Sequence, residues 1–367
     1  MNYRILVINP GSTSDDLGVF EGERELVKKT VRYTPADLKR FEHANVTAQY
    51  EFRKKNVLDM LAENGISLKS LSAVIGRGGL LKPIESGTYP VNDAMCADLR
   101  EGTYGDHSSN LGGLLAREIA ASANCPAFIA DPVVVDELDT LARYSGMPDN
   151  PRISIFHALN HKRVALMAAG KLGKKYEDCR LIVMHGGGGI SVGAHAGGRV
   201  VDVNNALDGD GPFTPQRSGG VPSGGLAKLC FGGSYTHGQM KLKIKGSGGL
   251  VAYTGTSDLI ALEKFIAGGE QDPQITVSRE KAHECVSAMA YQIAKEIGAM
   301  AAVLAGRVDA IVLTGGIVYD KHLMPELRSR ISWLAPVIEY PGGDEKRALR
   351  DAAERALENP ETLRQYC

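Results

Sequence analysis

A chain of 367 residues with 43% hydrophobic and 23% charged residues has the make-up of a soluble globular protein, with enough apolar content for about two cores of ordinary size. A formal net charge of −1 gives no bulk attraction for nucleic acid or an anionic membrane surface, and no apolar run is long enough to span a bilayer. Cysteines at 96, 125, 179, 230, 285 and 367 include no Cys-x-x-Cys pair, so they read as reduced thiols of a cytoplasmic protein. The first residues also lack the basic start, apolar stretch and cleavage site of a signal peptide.

In chain order, Arg4-Ile-Leu-Val-Ile-Asn9 reads as a buried strand entering a Gly/Ser turn, with Leu17–Phe20 returning from it. Thr47 is predicted to cap a helix that ends near Gly65 and buries Val57, Leu58 and Leu61. Ala73-Val-Ile-Gly76 is a strand that delivers Arg77 to the pair Gly78-Gly79, and Ala127-Phe-Ile-Ala130 delivers Asp131. The Pro-rich stretch 147–152 is the boundary candidate. Leu181–Gly189 then repeats the opening plan of an apolar strand and a turn of small residues. Ile190–His195 returns, and Arg199–Val203 is a third strand. Within 222–269 only Ser257–Ile266 looks helical. Ser278 is predicted to cap a long helix ending at Gly306, whose apolar positions Val286, Met289, Ile293, Ile297, Met300 and Leu304 advance by three or four. Ala310–Ile317 is a strand ending in Gly315-Gly316. Strands alternating with helices, and one hairpin plan used twice, predict an α/β protein of two similar domains.

The glycine turns suggest anion chemistry. Asn9–Ser14, His185–Gly189 and Thr314–Gly316 each follow an apolar strand, and glycine lets backbone amides come close to a phosphate. Ser12, Thr13 and Ser14 add short donors. There is no Gly-x-Gly-x-x-Gly opening a helix after the first strand and no Walker A lysine, so neither a dinucleotide fold nor a P-loop is supported. Arg77 and Arg217 stand beside glycines as candidate anion clamps. His157 and His161 are four apart and share a helix face, but no third ligand accompanies them, so zinc is not expected. Asp131, at a strand end, suits a Mg²⁺ held through water.

Taken together, Ile8–Ser14, Val74–Gly79, Gly105–Asn110, Ala130–Asp136, Ile155–His161, His185–Ser191, Pro215–Gly219 and Leu313–Ile317 resemble the butyrate kinase branch of the acetate kinase family. The likeness runs along essentially the whole chain, and its specificity lies in the order and spacing of motifs that are modest one by one. It implies two actin-like (ribonuclease H-like) domains of the sugar kinase, Hsp70 and actin superfamily, with ATP in the cleft between them. Residues 1–150 with 341–367 would form the first domain and 151–340 the second.

The resemblance implies further that Ser12, Ser14, His185, Gly186, Gly187, Gly188 and Gly189 surround the nucleotide phosphates, with Gly315 and Gly316 near the adenosine. Asn9, Asp131 and Glu345 would serve the magnesium. Arg77 and Arg217 would clamp the carboxylate and the transferring phosphoryl group, His157 would touch that group, and His107 and His161 would line the site. Gly78 and Gly79, where acetate kinases carry bulkier residues, would leave room for a longer acyl tail. The implied activity is reversible phosphoryl transfer between ATP and butyrate or a similar short acid, giving acyl phosphate and ADP. An acetate or propionate kinase and a non-catalytic ATP-binding homologue are the alternatives. A sugar kinase is a weaker one, since it would need an Asp as base toward a hydroxyl. A cytoplasmic homo-oligomer is expected.

The sequence departs from the family at one telling place. A Thr-Lys or Leu-Lys pair usually follows Ser-Thr-Ser; here Asp15-Asp16 follows. At ~5 Å and an effective dielectric of about 20, each unit of charge is worth roughly 3 kcal/mol, so the surroundings of Asp16 bear directly on catalysis.

Overall fold

The structure is a computed structural model and describes residues 2–42 and 44–367. The chain divides into two compact units, Met1–Val135 with Asp344–Cys367, and Asp136–Gly343. The boundary candidate 147–152 lies inside the second unit, where Arg152 pairs with Asp202 at 2.8 Å.

The first unit contains β1 (Arg4–Pro10), β2 (Ser14–Glu21), β3 (Arg24–Arg32), β4 (Ala73–Arg77), β5 (Thr88–Pro90) and β6 (Ala127–Ala130), in the order β3-β2-β1-β4-β6-β5. The second contains β7 (Arg180–Gly186), β8 (Ile190–Ala196), β9 (Arg199–Val203), β10 (Ala310–Gly315) and β11 (Val337–Pro341), in the order β11-β10-β7-β8-β9. In each, three antiparallel strands lead into parallel ones: β1 pairs antiparallel with β2 and parallel with β4, just as β7 pairs with β8 and β10. This is the expected duplication of the actin-like plan.

The centre of the second sheet is buried on both faces, which is why its strands read as unbroken apolar runs. Side chains alternate with a period of two. Ile182, Met184, Ile190, Val192, Ala194, Ile311 and Leu313 pack with the helix Arg279–Val303. Leu181, Val183, Ala310 and Val312 face the opposite way, onto Val164, Ala165 and Ala168 of the helix Ala158–Lys171. The same parity sends His185, Ser191 and His195 to the side of that second helix.

In the first unit the helix Asn110–Ala123 lies almost directly on the sheet. A Cβ at Gly76 of β4 would collide with the Gly112 carbonyl, so glycine on both sides permits the contact. Asp344–Cys367 adds the helix Glu345–Glu358, which packs against β1, β2, β4 and β6.

Two local expectations are corrected. Ser278 caps its helix, accepting from the Lys281 amide, but Thr47 does not. Thr47 lies in a 3₁₀ turn, Val46–Gln49, capped by Asn45, and the α-helix is Tyr50–Glu63. The Asn45 side chain takes the Thr47 amide, a local competition that asparagine commonly wins. Residues 222–269 carry four short helices, Ser223–Phe231, His237–Ile244, Leu250–Thr254 and Leu259–Ile266. Only Met240, Leu250, Thr254, Leu262 and Phe265 are buried in them. That is too sparse for a periodic stripe.

Candidate active site

The first unit gathers its polar residues at the C-terminal ends of β1 and β4. Arg77, the last residue of β4, donates from one guanidinium nitrogen to Glu345 at 3.0 Å and to the Asn9 side-chain oxygen at 3.3 Å. Asn9 Nδ2 donates to the same Glu345 oxygen at 2.9 Å. Glu345 is the first residue of its helix and is placed by the cap Asp344, which accepts from the Arg347 amide. Thus Asn9, Arg77 and Glu345, remote in sequence, form one cluster.

Asp131 stands at the end of β6 in the left-handed region, with φ 38°. Its Oδ1 accepts from Ser86 Oγ at 2.7 Å and the Gly87 amide at 2.8 Å, and its own amide donates to the Gly87 carbonyl at 3.1 Å. These bonds hold a backbone conformation that few non-glycine residues adopt. His107 is exposed, and its Nδ1 takes the Ser109 amide at 3.2 Å.

Gly78 and Gly79 do not act as gaps. A Cβ at Gly78 would lie 2.6 Å from Pro132 Cβ, and one at Gly79 would lie 2.5 Å from Asn110 Oδ1 and 2.7 Å from Leu99. The space is already filled by protein, so the missing side chains do not by themselves make room for an acyl tail. Asn110, fully buried and absent from the candidate set, explains the fit. It accepts from the Leu80 amide and donates to the Gly105 carbonyl, both at 2.8 Å.

Under the first turn lies a residue that carried no signal. Arg53 shares the buried face of its helix with Val57, Met60 and Leu61 and has no exposed surface. It pairs with the equally buried Asp15, donates to the Gly11 carbonyl at 2.9 Å, and is held by Gln49 at 2.8 and 3.0 Å. Tyr33 donates to the other Asp15 oxygen. Ser14 is half-buried and its carbonyl takes the Gly11 amide at 2.6 Å; Ser12 is exposed. Asp16 accepts from Thr30 Oγ1 at 3.1 Å and lies 3.4 Å from Lys346 Nζ, which also pairs with Glu25 at 2.7 Å. Asp16 therefore shares a buried lysine of the neighbouring helix with Glu25.

In the second unit, Gly187 closes its turn by donating to the Gly189 carbonyl at 2.9 Å, and Thr214 Oγ1 donates to the Gly188 carbonyl at 2.7 Å. Arg217 lies over this turn and donates to the Ala206 carbonyl; a Cβ at Gly189 would strike its guanidinium. Arg217 has no carboxylate partner among the described residues, and burial pushes its guanidinium below the usual arginine range. An arginine desolvated without a counter-ion is poised to receive an anion. Gly315, with φ 92°, lies so close to the Gly186 carbonyl that no side chain fits.

His185 meets Asn160 at 3.0 Å and stacks on His157, with ring centroids 4.0 Å apart. His157 is half-buried and its Nδ1 meets Ser191 Oγ at 2.9 Å. His161 is fully buried and meets the same hydroxyl at 2.8 Å, so it reaches any substrate only through Ser191 and His157.

No group of three or more His, Cys, Asp or Glu able to hold a metal occurs among the described residues. Mg²⁺ does not need one, since it keeps several waters and takes one or two protein carboxylates besides substrate phosphates. Glu345 and the neighbouring Asn9 offer one carboxylate and one amide oxygen, donors of the kind that ion takes. No helix among the described residues is long and apolar enough to cross a membrane.

Comparison with known proteins agrees with this architecture. A relative from Elusimicrobium minutum (strain Pei191), named a probable butyrate kinase, is 54% identical over 369 residues that span 100% of both chains. The profile of the acetokinase family matches residues 152–328. An acetate kinase structure from Porphyromonas gingivalis superposes with a TM-score of 0.75 at 21% identity, covering 96% of this chain and 99% of its own. A propionate kinase from Francisella tularensis subsp. tularensis SCHU S4 gives 0.72 at 17%, covering 95% and 98%. These structural likenesses speak for the fold, and the end-to-end identity speaks for descent: the chain belongs to the acetokinase family.

Proposed function

We propose that the chain transfers a phosphoryl group reversibly between ATP and the carboxylate of a short-chain acid, with butyrate or an acid of similar size as the substrate. The observation that carries this reading is the 54% identity along the entire length of a probable butyrate kinase. The polar clusters of the two units supply groups suited to the chemistry. A carboxylate with a pKa of about 4–5 is already ionised at neutral pH, so no general base is required. The difficulty is repulsion between two anions, which guanidinium groups offset.

In this reading Arg77 and Arg217 are the guanidinium groups that offset the charge of the two anions. Arg77, held by Asn9 and Glu345, orients the acid. Arg217, whose guanidinium has no carboxylate partner among the described residues, meets the phosphoryl oxygens. Gly186–Gly189 offer backbone amides to the nucleotide phosphates, with Gly315 and Gly316 beside the adenosine, and Ser12 and Ser14 add hydroxyl donors. Asn9 and Glu345, with Asp131, would hold Mg²⁺, which supplies charge neutralisation on the phosphate oxygens. The chain is proposed to work as a homo-oligomer in the cytoplasm. The cysteines, all free, suit that reducing compartment.

The test is the purified chain with Mg-ATP and an acid series from acetate to hexanoate, with hydroxylamine trapping of acyl phosphate. Hydroxamate formation greatest with butyrate or a neighbouring acid is expected. Formation with none of the acids would overturn the proposal.

A further inference from the structure

The histidines of the second unit form a continuous line that the reaction as described uses only at one end. Alternation along β8 sends Ser191, Gly193 and His195 to one face, and His157, the residue before the helix Ala158–Lys171, and His161 in its first turn both meet Ser191. The His161 ring packs over Gly193, where a Cβ would lie at 3.4 Å from it, in ordinary contact. The line runs from Tyr176 Oη to His195 Nδ1 at 2.8 Å, then from His195 Nε2 to His161 Nδ1 at 3.3 Å. It continues from His161 Nε2 to Ser191 Oγ at 2.8 Å and from Ser191 Oγ to His157 Nδ1 at 2.9 Å.

Each of these four contacts needs one proton between its two atoms. The contact between His161 and His195 joins two ring nitrogens, so one must carry hydrogen and the other must be bare. A neutral ring carries a single N–H, and the buried Ser191 hydroxyl bonds only His161 and His157 among the described residues, so accepting from both would strand its own proton; it donates to one and accepts from the other, and once one contact is oriented, all the others follow. Only two arrangements are then possible for neutral rings. In one, every donor points from Tyr176 toward His157, and His157 presents an Nε2–H. In the other, every donor points back, and His157 presents a bare Nε2. His161 and His195 have no exposed surface, and burial holds both far below the usual histidine range, so they stay neutral. Lys162, whose ammonium lies 5.4 Å from the Tyr176 ring centroid, and His185, stacked on His157, further disfavour added positive charge. His157 also stands at the N-terminus of the helix Ala158–Lys171, the wrong helix end for a cation.

We propose that Tyr176, His195, His161 and Ser191 form a one-way hydrogen-bond chain that fixes His157 as a neutral Nε2–H donor, and that these four are positioning residues for it. The direction follows from donor strength. A phenol, with a pKa of about 10, gives its proton to an imidazole nitrogen more readily than it accepts one from an imidazole N–H. The use of that donor rests on the function proposed above: an Nε2–H can hydrogen-bond an anionic phosphoryl oxygen, whereas a bare nitrogen would repel it. No proton moves along the chain during the reaction; it sets orientation and tautomer only.

The experiment is long-range ¹H–¹⁵N correlation on the full chain labelled with ¹⁵N-histidine, with resonances assigned by single histidine variants. In the wild type, His157, His161 and His195 are expected as Nε2–H tautomers. In Tyr176→Phe, His157 is expected to shift to a mixture of tautomers or to Nδ1–H, with kcat reduced about tenfold and the KM for the acid changed less than twofold. Ser191→Ala, a smaller change should Tyr176→Phe fail to fold, cuts the chain next to His157 and is expected to scramble its tautomer while leaving that of His195 in place. An Nδ1–H tautomer at His157 in the wild type, or an unchanged His157 in both variants, would overturn the inference. The spectra are read without turnover, so an absence of kinase activity would sink the proposed function and leave this test standing.

Discussion

The two units use one strand plan to present one kind of turn, yet they anchor it by opposite electrostatics. Beneath the turn after β1, a buried ion pair does the anchoring: Arg53, paired with Asp15, holds the Gly11 carbonyl. At the turn after β7 the carbonyl of Gly188 is held by a neutral hydroxyl, Thr214, and the polar groups on the adjoining sheet face are histidines kept uncharged by burial. Arg217 lies over the turn without a carboxylate partner among the described residues. A duplicated hairpin therefore fixes where a turn sits, while the side chains behind it decide whether charge is cancelled locally or kept for a ligand.

The sharpest way to break the comparison is to uncouple the ion pair. Arg53→Ala leaves Asp15 buried without its counter-charge, which costs about 3–5 kcal/mol at sites of this kind. Arg53→Met with Asp15→Asn removes both charges and keeps an acceptor for Tyr33, so most of that loss should return. Urea unfolding of the two variants measures the difference. A cost below about 1 kcal/mol for Arg53→Ala would mean that the pair is not what supports the turn.

Acid should act on the second unit instead. His161 and His195 have folded-state pKa values depressed well below 6.5. Below pH 6.5 the unfolded chain therefore binds more protons than the folded one. Stability from these groups is fully present above that pH and is lost as pH falls. Two such groups amount to about 3 kcal/mol by pH 5.5, at 1.36 kcal/mol per group per pH unit. The loss of unfolding free energy between pH 7 and 5.5 should be smaller by about 1.4 kcal/mol in His195→Gln than in the wild type. An equal slope in variant and wild type would show that His195 is not the source.

How much of this was legible in advance depends on what each residue touches. The central strands of both sheets were readable, because β1, β7 and β10 are apolar runs closed by glycine; the half-exposed β3, β5 and β11 were not. The glycine turns and the arginines beside them were readable for the same reason. Arg53 was not: a charged residue in an apolar helical stripe looks like a solvent position until Asp15, 38 residues away in sequence, is placed against it. Gly78 and Gly79 were misread because a missing side chain says nothing about who fills the space, and here Pro132, Asn110 and Leu99 do. Ser191 and His195 were visible as alternating polar positions on a strand. Their partnership with His157 and His161 required knowing which helix covers that face. Asp16, alarming in isolation, acquired Lys346 only when the C-terminal helix returned to the first unit.

Two substitutions in the second turn sharpen the contrast at smaller scale. A methyl group at Gly189 would meet the movable end of Arg217, so Gly189→Ala should fold normally while displacing that guanidinium. A misplacement of about 1 Å can cost on the order of 10²-fold in rate, and the loss should appear in kcat. In the first turn the corresponding test is mild, because a Cβ at Gly11 lies 3.0 Å from the Ser14 carbonyl and strikes no catalytic group. Steady-state kinetics of both variants decide whether Arg217 works from where it lies.

Gly188 gives the smallest and most specific effect. Its backbone φ is not positive, and a Cβ there would have nothing within 4 Å. The folded protein alone therefore gives no reason for glycine at this position. The remaining reason is a ligand that comes closer to the backbone than a methyl group allows, as a nucleotide phosphate does in a glycine turn. Gly188→Ala should leave thermal unfolding unchanged and raise the KM for ATP about tenfold, equivalent to about 1.4 kcal/mol of binding, with the KM for the acid unaffected. If ATP affinity by calorimetry is the same in both proteins, the phosphates do not approach this turn. The anion seat of the second unit would then have to be sought at Gly316, where a Cβ likewise meets nothing.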